Sequence, residues 1–407
     1  MPRILKDIFR PIRDIGADGL RLLAVLTGGH IVIHWFQQLL PVVLPSVKAG
    51  LGLNDIQVGA LTSAKQLMQG TLNLPSGMLA DSMVRHRGFI LAMALVCMGV
   101  AYFLLGITSA LSVALVGAGC VGLGSSLWHP AAVASLSNRF PARRATALAV
   151  HGTGATVSDT VTPLVVGGLL MTFPWEKVLK FQLVPALFFG LVVWWGLAGL
   201  YADSDTHSKR SGQIREIADL ARNPVFFGVS VARGLMQMGR LVILTFLPIY
   251  LQEDLGYSPF VLGFHLALLH ALGTVSQPLM GYLSDRFGRK AVLVPSFFTL
   301  GILYILLVVA APGIQLALVI GAIGLFFYTL MNISNVAIMD VAGSKIQGSS
   351  YGLTSLVTQL IVIPTPMVTG FLIEAYGIAA AFLLSGIFAL LAGVAVAPLR
   401  LYQGDKG

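Results

Sequence analysis

Apolar runs long enough to cross a bilayer recur along the whole chain, separated by short polar breaks. A spanning helix needs roughly 20 mostly apolar residues. Twelve such runs stand out, at about 21–47, 55–80, 88–107, 111–138, 145–172, 179–201, 225–250, 258–283, 289–310, 314–339, 348–373 and 377–400. Lipid offers no water to an unpaired N–H or C=O, so these runs are expected as helices rather than open sheets. Pro41, Pro45, Pro163, Pro278, Pro364 and Pro366 fall inside them, which a helix bundle in a membrane tolerates. The expected fold class is an all-α polytopic membrane protein of twelve transmembrane helices.

Composition sharpens this. Of 407 residues, 56% are apolar and 11% charged, with a mean hydropathy of +0.84. Soluble domains carry about 25% charged residues, so this chain cannot clothe itself in a water-compatible surface. The charge excess of +9 could suggest nucleic acid, but its placement argues otherwise. With the N-terminus inside, twenty of the 26 Lys and Arg fall in inside segments, Lys48, Lys177 and Lys180 outside, and Lys65, Arg233 and Arg240 within spans. This bias puts both termini in the cytoplasm and supports an even number of spans. The cations then face anionic lipid headgroups, as expected for a multi-pass protein of the cell inner (cytoplasmic) membrane. Cys97 and Cys120 lie in apolar runs and imply no disulfide framework. The first apolar run is too long for a cleavable signal.

The stretch 202–224 is the long polar interval of the chain and divides it into an N-terminal six-helix bundle (1–201), a cytoplasmic linker, partly helical, and a C-terminal six-helix bundle (225–407). The halves correspond. Gly77-Met-Leu-Ala-Asp81 answers Gly281-Tyr-Leu-Ser-Asp285 at an offset of 204, as Gly52 answers Gly256 and Gly59 answers Gly263. At 203, Pro45 answers Pro248, Pro163 answers Pro366 and Gly167 answers Gly370. Duplicated six-helix units are a hallmark of transporters with a site between the halves.

Together with Arg85 and Arg87 after the first copy, and Arg286, Arg289 and Lys290 after the second, these stretches resemble the loop G-x-L-x-D-R-x-G-R-[KR] of the major facilitator superfamily. The second copy is nearly complete and the first degrades after its Asp. Three further stretches resemble the fosmidomycin-resistance-type efflux branch: Gly122 to Pro130, Arg233 with Phe246 to Tyr250, and His30 with Gln37. That branch tends to carry an acidic residue near the middle of helix 1, where this chain has His34. The resemblance implies the major facilitator fold, two pseudo-symmetric six-helix bundles. It implies that Gly77, Asp81, Arg85, Gly281, Asp285, Arg286 and Arg289 form a gate, the charges latching the halves on the cytoplasmic side. The alternative is a loop that only fixes topology. Gly77 and Gly281, lacking Cβ, are expected to allow close helix approach. Helix 5 carries Pro163, Gly167 and Gly168, with Thr162 before the Pro, and so resembles the antiport motif G-x-x-x-G-P-x-x-G-G.

Ionisable groups deep in a bilayer cost about 2.5–3.5 kcal/mol or more on insertion scales and are functional by default. Asp159 is the acid at mid-depth and the candidate proton carrier; a structural ion pair to Lys65 or an Arg is the alternative. Arg233, Gln237 and Arg240 recur at i, i+4 and i+7, on one helix face. With Lys65 they suggest an anionic group on the substrate, since the guanidinium fork matches carboxylate or phosphonate. A structural role for Arg233 stays open. His30, His34, His129, His151, His265 and His270 lie in the spans. His30 and His34 share a face with Gln37. Histidine suits a proton relay near neutral pH, which makes His34 and His151 candidates beside Asp159; simple interhelical hydrogen bonding is the other reading. An i, i+4 His pair can ligate a metal, but no Glu follows His30 and no thiolate is near in sequence, so no metal or cofactor is expected. In the family, helices 1, 4, 7 and 10 line the cavity, which favours His34, Gln37, Trp128, Arg240, Asn332 and Asn335; His30, His129, Lys65, Arg233 and Gln237 complete the expected substrate contacts.

Nothing here supports an enzyme: no nucleophile motif, phosphate loop or metal set is present. The expectation is a monomeric secondary transporter of a small molecule, exporting an organic compound against protons by alternating access. Proton-coupled uptake or exchange of an organic anion is the alternative.

Overall fold

The computed structural model describes residues 16–201, 220, 222–342 and 347–401. The basic N-terminal segment and most of the linker expected between the halves lie outside the described residues. The described chain forms helices without strands. We number them α1 (Gly16–Leu51), α2 (Asp55–Ser82), α3 (Arg87–Ile107), α4 (Leu111–Arg139), α5 (Arg144–Leu170) and α6 (Trp175–Gly196) in the first half. The second half holds α7 (Pro224–Ile249), α8 (Pro259–Phe287), α9 (Arg289–Leu306), α10 (Ile314–Phe327 continuing as Thr329–Ala342), α11 (Gln347–Val362 continuing as Thr365–Tyr376) and α12 (Ala379–Val396).

Ten of these are long and apolar enough to cross a membrane. The other two, α2 and α5, have the length but carry too many polar residues, Lys65, Gln66 and Gln69 in one and His151, Ser158, Asp159 and Thr162 in the other. The twelve expected runs therefore correspond to twelve helices, and the two weakest are those with the most chemistry.

Local signals set the boundaries. Asn54 caps α2 by accepting from Gln57 N–H, while the Gln57 side chain accepts from Asn54 N–H, closing a reciprocal capping box. Gly52 and Gly256, one repeat apart, both take positive φ (62° and 64°) where the chain turns into α2 and α8, a conformation that glycine adopts without a steric penalty. Pro41 and Pro45 sit inside an unbroken α1, whereas α11 breaks just before Thr365.

With twelve spans, Gly16 and Leu401 lie at the same face, here the terminal face. At the opposite face the halves meet through two crossings that repeat each other. α2 packs on α11: a Cβ on Gly59 would strike the Pro366 carbonyl, and one on Gly370 the Asp55 carbonyl. α5 packs on α8 likewise, Gly263 against the Pro163 carbonyl and Gly167 against the Pro259 carbonyl. Lys48 joins this closure, paired with Asp55 at 2.8 Å and Glu253 at 2.6 Å, and Asp55 N–H donates to Glu374 at 2.9 Å.

The terminal face differs. Asp81 pairs with Arg87 at 3.3 Å, Asp285 pairs with Arg289, and Arg289 also reaches Asp340 at 3.0 Å, each within its own half. Arg286 donates to the Tyr282 hydroxyl at 3.1 Å. The close approach expected at the motif glycines is not made: a Cβ on Gly281 would meet nothing within 4 Å, and one on Gly77 would meet the Pro130 Cβ at an ordinary 3.6 Å. The physical reason is that the halves converge at the other face.

Candidate functional site

Where the halves face each other in mid-bundle, a polar cavity opens. Its wall is built from Gln37 and Gln38 on α1, Thr62, Lys65, Gln66 and Gln69 on α2, Gln237, Arg240 and Thr245 on α7, and Gln359 on α11. The described lining comes from α1, α2, α7 and α11, the α2–α11 crossing bringing both of those helices to the interface; α4 and α10, expected there beside α1 and α7, contribute no residue to it. No acidic side chain is among the described residues of the lining.

The two cations differ in how they are held. Lys65 donates to the Gln37 carbonyl at 3.4 Å. Arg240 donates to the Gln237 side chain at 3.4 Å, its guanidinium lying 4.5 Å from the Phe327 ring centre and 5.2 Å from that of Tyr328. Aromatic faces attract the cation, and the buried Arg240 Nε has no hydrogen-bond partner among the described residues. The fork thus keeps donors for a ligand.

Beside the cavity lies a hydrogen-bonded chain. Asp159, 2% exposed on α5, accepts from His34 Nδ1 at 2.8 Å and Gln38 Nε2 at 3.0 Å on one oxygen. Its other oxygen accepts from the Tyr328 hydroxyl at 2.5 Å, and that hydroxyl is 2.6 Å from His270 Nδ1. Asp159 therefore bonds α1 in its own half and α10 in the other. Among the described residues Asp159 makes no ion pair at contact distance with Lys65 or an Arg, although its charge acts on Lys65 across the cavity edge.

Around His34 the rings crowd. His30 lies 4.6 Å from His34, 5.4 Å from His129 and 3.9 Å from His151, the last stacked at 6°. His30 Nδ1 bonds the His151 carbonyl at 2.8 Å, and Gln37 Nε2 bonds both Ser125 at 3.0 Å and His129 Nε2 at 3.1 Å. His265 stands apart, bonded to the Val261 carbonyl at 2.8 Å.

Of the expected substrate contacts, His30, His34 and His129 stand outside the lining, and Trp128, Arg233, Asn332 and Asn335 fall elsewhere. Trp128 is fully buried, and its indole fills the space that a Cβ on Gly29 would need, so it packs α4 on α1 instead of lining the cavity. Arg233 is buried and donates to Thr358 at 3.1 Å, away from the lining, while Gln237 and Arg240 on the same face reach it. One helix face spans more depth than the cavity. Asn332 donates to Gln277 at 2.7 Å and, like Asn335, is outside the lining. Among the gate residues, Arg85 borders a separate surface pocket with Phe89 and Tyr201.

Tyr328 and Gln38 escaped the sequence reading. A tyrosine inside an apolar run was a signal, since a buried hydroxyl needs a partner.

The model of the Major Facilitator Superfamily matches residues 26–276 and 229–405. The chain belongs to this superfamily. It is 24% identical to the fosmidomycin resistance protein of Escherichia coli (strain K12) over 67% of each chain. It is 23% identical to a hexuronate transporter of Bacillus subtilis (strain 168), over 93% of this chain and 94% of that one. A probable sulfoacetate transporter of Cupriavidus necator is 26% identical, over 88% and 87%. Among solved structures, a bacterial homologue of the human lysosomal transporter Spinster, inward-facing and unoccupied, superposes with a TM-score of 0.77 at 18% identity, covering 94% of this chain and 97% of that one. A nucleoside transporter superposes at 0.78 with 14% identity, over 93% and 99%. The fold is that of this superfamily, and the chain is a membrane transport protein, not an enzyme.

Proposed function

We propose that this protein carries a small organic anion by alternating access, with Lys65 and Arg240 receiving the anionic group. One observation carries the reading: both cations face one cavity between the halves, among amide side chains and without an acidic neighbour in the described lining. Asp159, the acid nearest to Lys65, is already engaged by His34, Gln38 and Tyr328. A guanidinium set against the rings of Phe327 and Tyr328 is organised for the two oxygens of a carboxylate, sulfonate or phosphonate. The amides of Gln66, Gln69, Gln237 and Gln359 offer donors and acceptors to the rest of the molecule. Relatives named for hexuronate and sulfoacetate transport support an anionic cargo.

The direction is read as export, on the Pro163, Gly167 and Gly168 run of α5 and on the likeness to the fosmidomycin resistance protein. The orientation follows the basic loops, with the terminal face in the cytoplasm. Thermal unfolding of the purified protein against carboxylates, sulfonates, phosphonates, matched neutral compounds and lipophilic cations tests the cargo. Stabilisation by an anion that Arg240→Ala abolishes is expected. Stabilisation by cations alone, unchanged in that variant, removes the anion reading. Transport into and out of vesicles under an imposed pH gradient then reads direction and coupling.

A further inference from the structure

We propose that His30, His34 and His129 form a binding site for a divalent transition metal of the zinc type. This goes beyond the anion reading and rests on other residues. One nitrogen from each of the three rings lies within 4.8 Å of the others. Tetrahedral zinc with Zn–N bonds of 2.0–2.1 Å places its nitrogens about 3.4 Å apart, so each ring needs to move by less than about 1 Å.

The hydrogen bonds of two of the rings, His30 and His34, are those of metal ligands. A ligating histidine holds its other N–H against a carboxylate or a backbone carbonyl, which fixes tautomer and orientation. His34 does the first, Nδ1 to Asp159 at 2.8 Å, and His30 does the second, Nδ1 to the His151 carbonyl at 2.8 Å. Each bond leaves Nε2 as the bare lone pair. In His30 that nitrogen is buried and has no hydrogen-bond partner among the described residues, on a residue 6% exposed. A buried acceptor left unpaired is costly, and a metal would satisfy it. His129 Nε2 bonds the Gln37 amide at 3.1 Å, a side chain that also lines the cavity and can swing aside. The fourth position would therefore open towards the cavity, for water or an oxygen of a bound molecule.

Imidazole ligands without carboxylate in the inner set favour zinc, cobalt, nickel or copper over magnesium or calcium. The spacing of His30 and His34 along α1 hid the third ligand, because His129 comes from α4.

The test is metal titration of the purified, tag-free full chain in detergent after chelator treatment, using zinc by calorimetry and cobalt by its visible absorption. One ion per chain is expected, with the intense absorption of tetrahedral cobalt. Binding should weaken at least tenfold in His30→Ala and His129→Ala and be unchanged in His265→Ala. Gln37→Ala, which removes no ligand and frees His129, should bind at least as tightly as the parent and keeps the test open if an alanine variant at a histidine misfolds. Absence of stoichiometric binding, equal affinity in monodisperse histidine variants, an octahedral cobalt spectrum, or weaker binding in Gln37→Ala overturns the site.

Discussion

The Tyr328 hydroxyl donates to Asp159 across 2.5 Å, and with that one bond a residue of α10 in the second half holds a carboxylate of α5 in the first. Hydrogen bonds to charged groups contribute about 1.5–3 kcal/mol. Because the bond joins the two halves, it is expected to favour the access state seen here. Tyr328→Phe keeps the ring against Arg240 and deletes the donor. We expect it to shift the population away from the state closed at the opposite face by about tenfold or more, given that 1.4 kcal/mol is a factor of ten. Spin labels on α5 and α8 at that face would report the change as a longer distance. An unaltered distance distribution would mean that the bond does not weigh in the equilibrium.

Arg240→Lys separates charge from geometry. The lysine keeps the positive charge but loses the planar fork and its seat on Phe327. If two oxygens of the cargo are engaged together, affinity should fall by about tenfold in the lysine variant and about a hundredfold in Arg240→Ala, in line with about 1.5–3 kcal/mol for bonds to charged groups. Calorimetry with the best anion from the thermal screen measures both. Equal affinity of the parent and lysine variants would reduce Arg240 to a point charge.

Gly263→Ala meets a backbone carbonyl, that of Pro163, and Gly59→Ala meets that of Pro366. Neither obstacle can rotate out of the way as a side chain would. Both variants are expected to open the opposite face, read as faster labelling of cysteines placed near Gly59 or Gly263. Gly281→Ala, with nothing within 4 Å, should leave this state unchanged and penalise the state in which the terminal ends of α2 and α8 converge. Transport would fall while melting in this state stays constant. If Gly281→Ala transports normally, close approach at the gate loop is not needed.

Lys48→Gln removes two pairs at the opposite face. The Glu253 partner is partly open to water, and exposed pairs contribute about 0–1 kcal/mol. The expected change in unfolding stability is below about 1 kcal/mol and should fade with added salt. A larger, salt-independent loss would show that backbone crossings and ion pair are one cooperative seal.

The spans, the duplication and the candidate cations were legible because hydropathy and repeated Gly, Pro and Asp positions are properties of the chain itself. Gly59 and Gly263 could be paired by offset; that each meets a proline carbonyl of the other half could not, since this depends on how helices cross. The helix face of Arg233, Gln237 and Arg240 was visible, but not that Thr358 takes the first and the cavity the other two. Trp128 looked like a ligand contact because helix 4 lines the cavity in the family it resembles, and its indole fills the hollow over Gly29. Asp159 stood out alone, whereas its partner Tyr328 lay in an apolar run that gave no sign of direction.

The polarity of α2 and α5 also bears on biogenesis. A segment of such modest hydropathy enters lipid poorly by itself, so each must be accepted in company. For α5 the company is present when it emerges, because α1, on which it packs, precedes it. For α2 the extensive partner is α4, which is still to be translated. The nascent chain should therefore hold α2 at the translocon until α4 leaves the ribosome. Crosslinking of stalled chains of increasing length would show that dwell as a contact that ends when α4 is out.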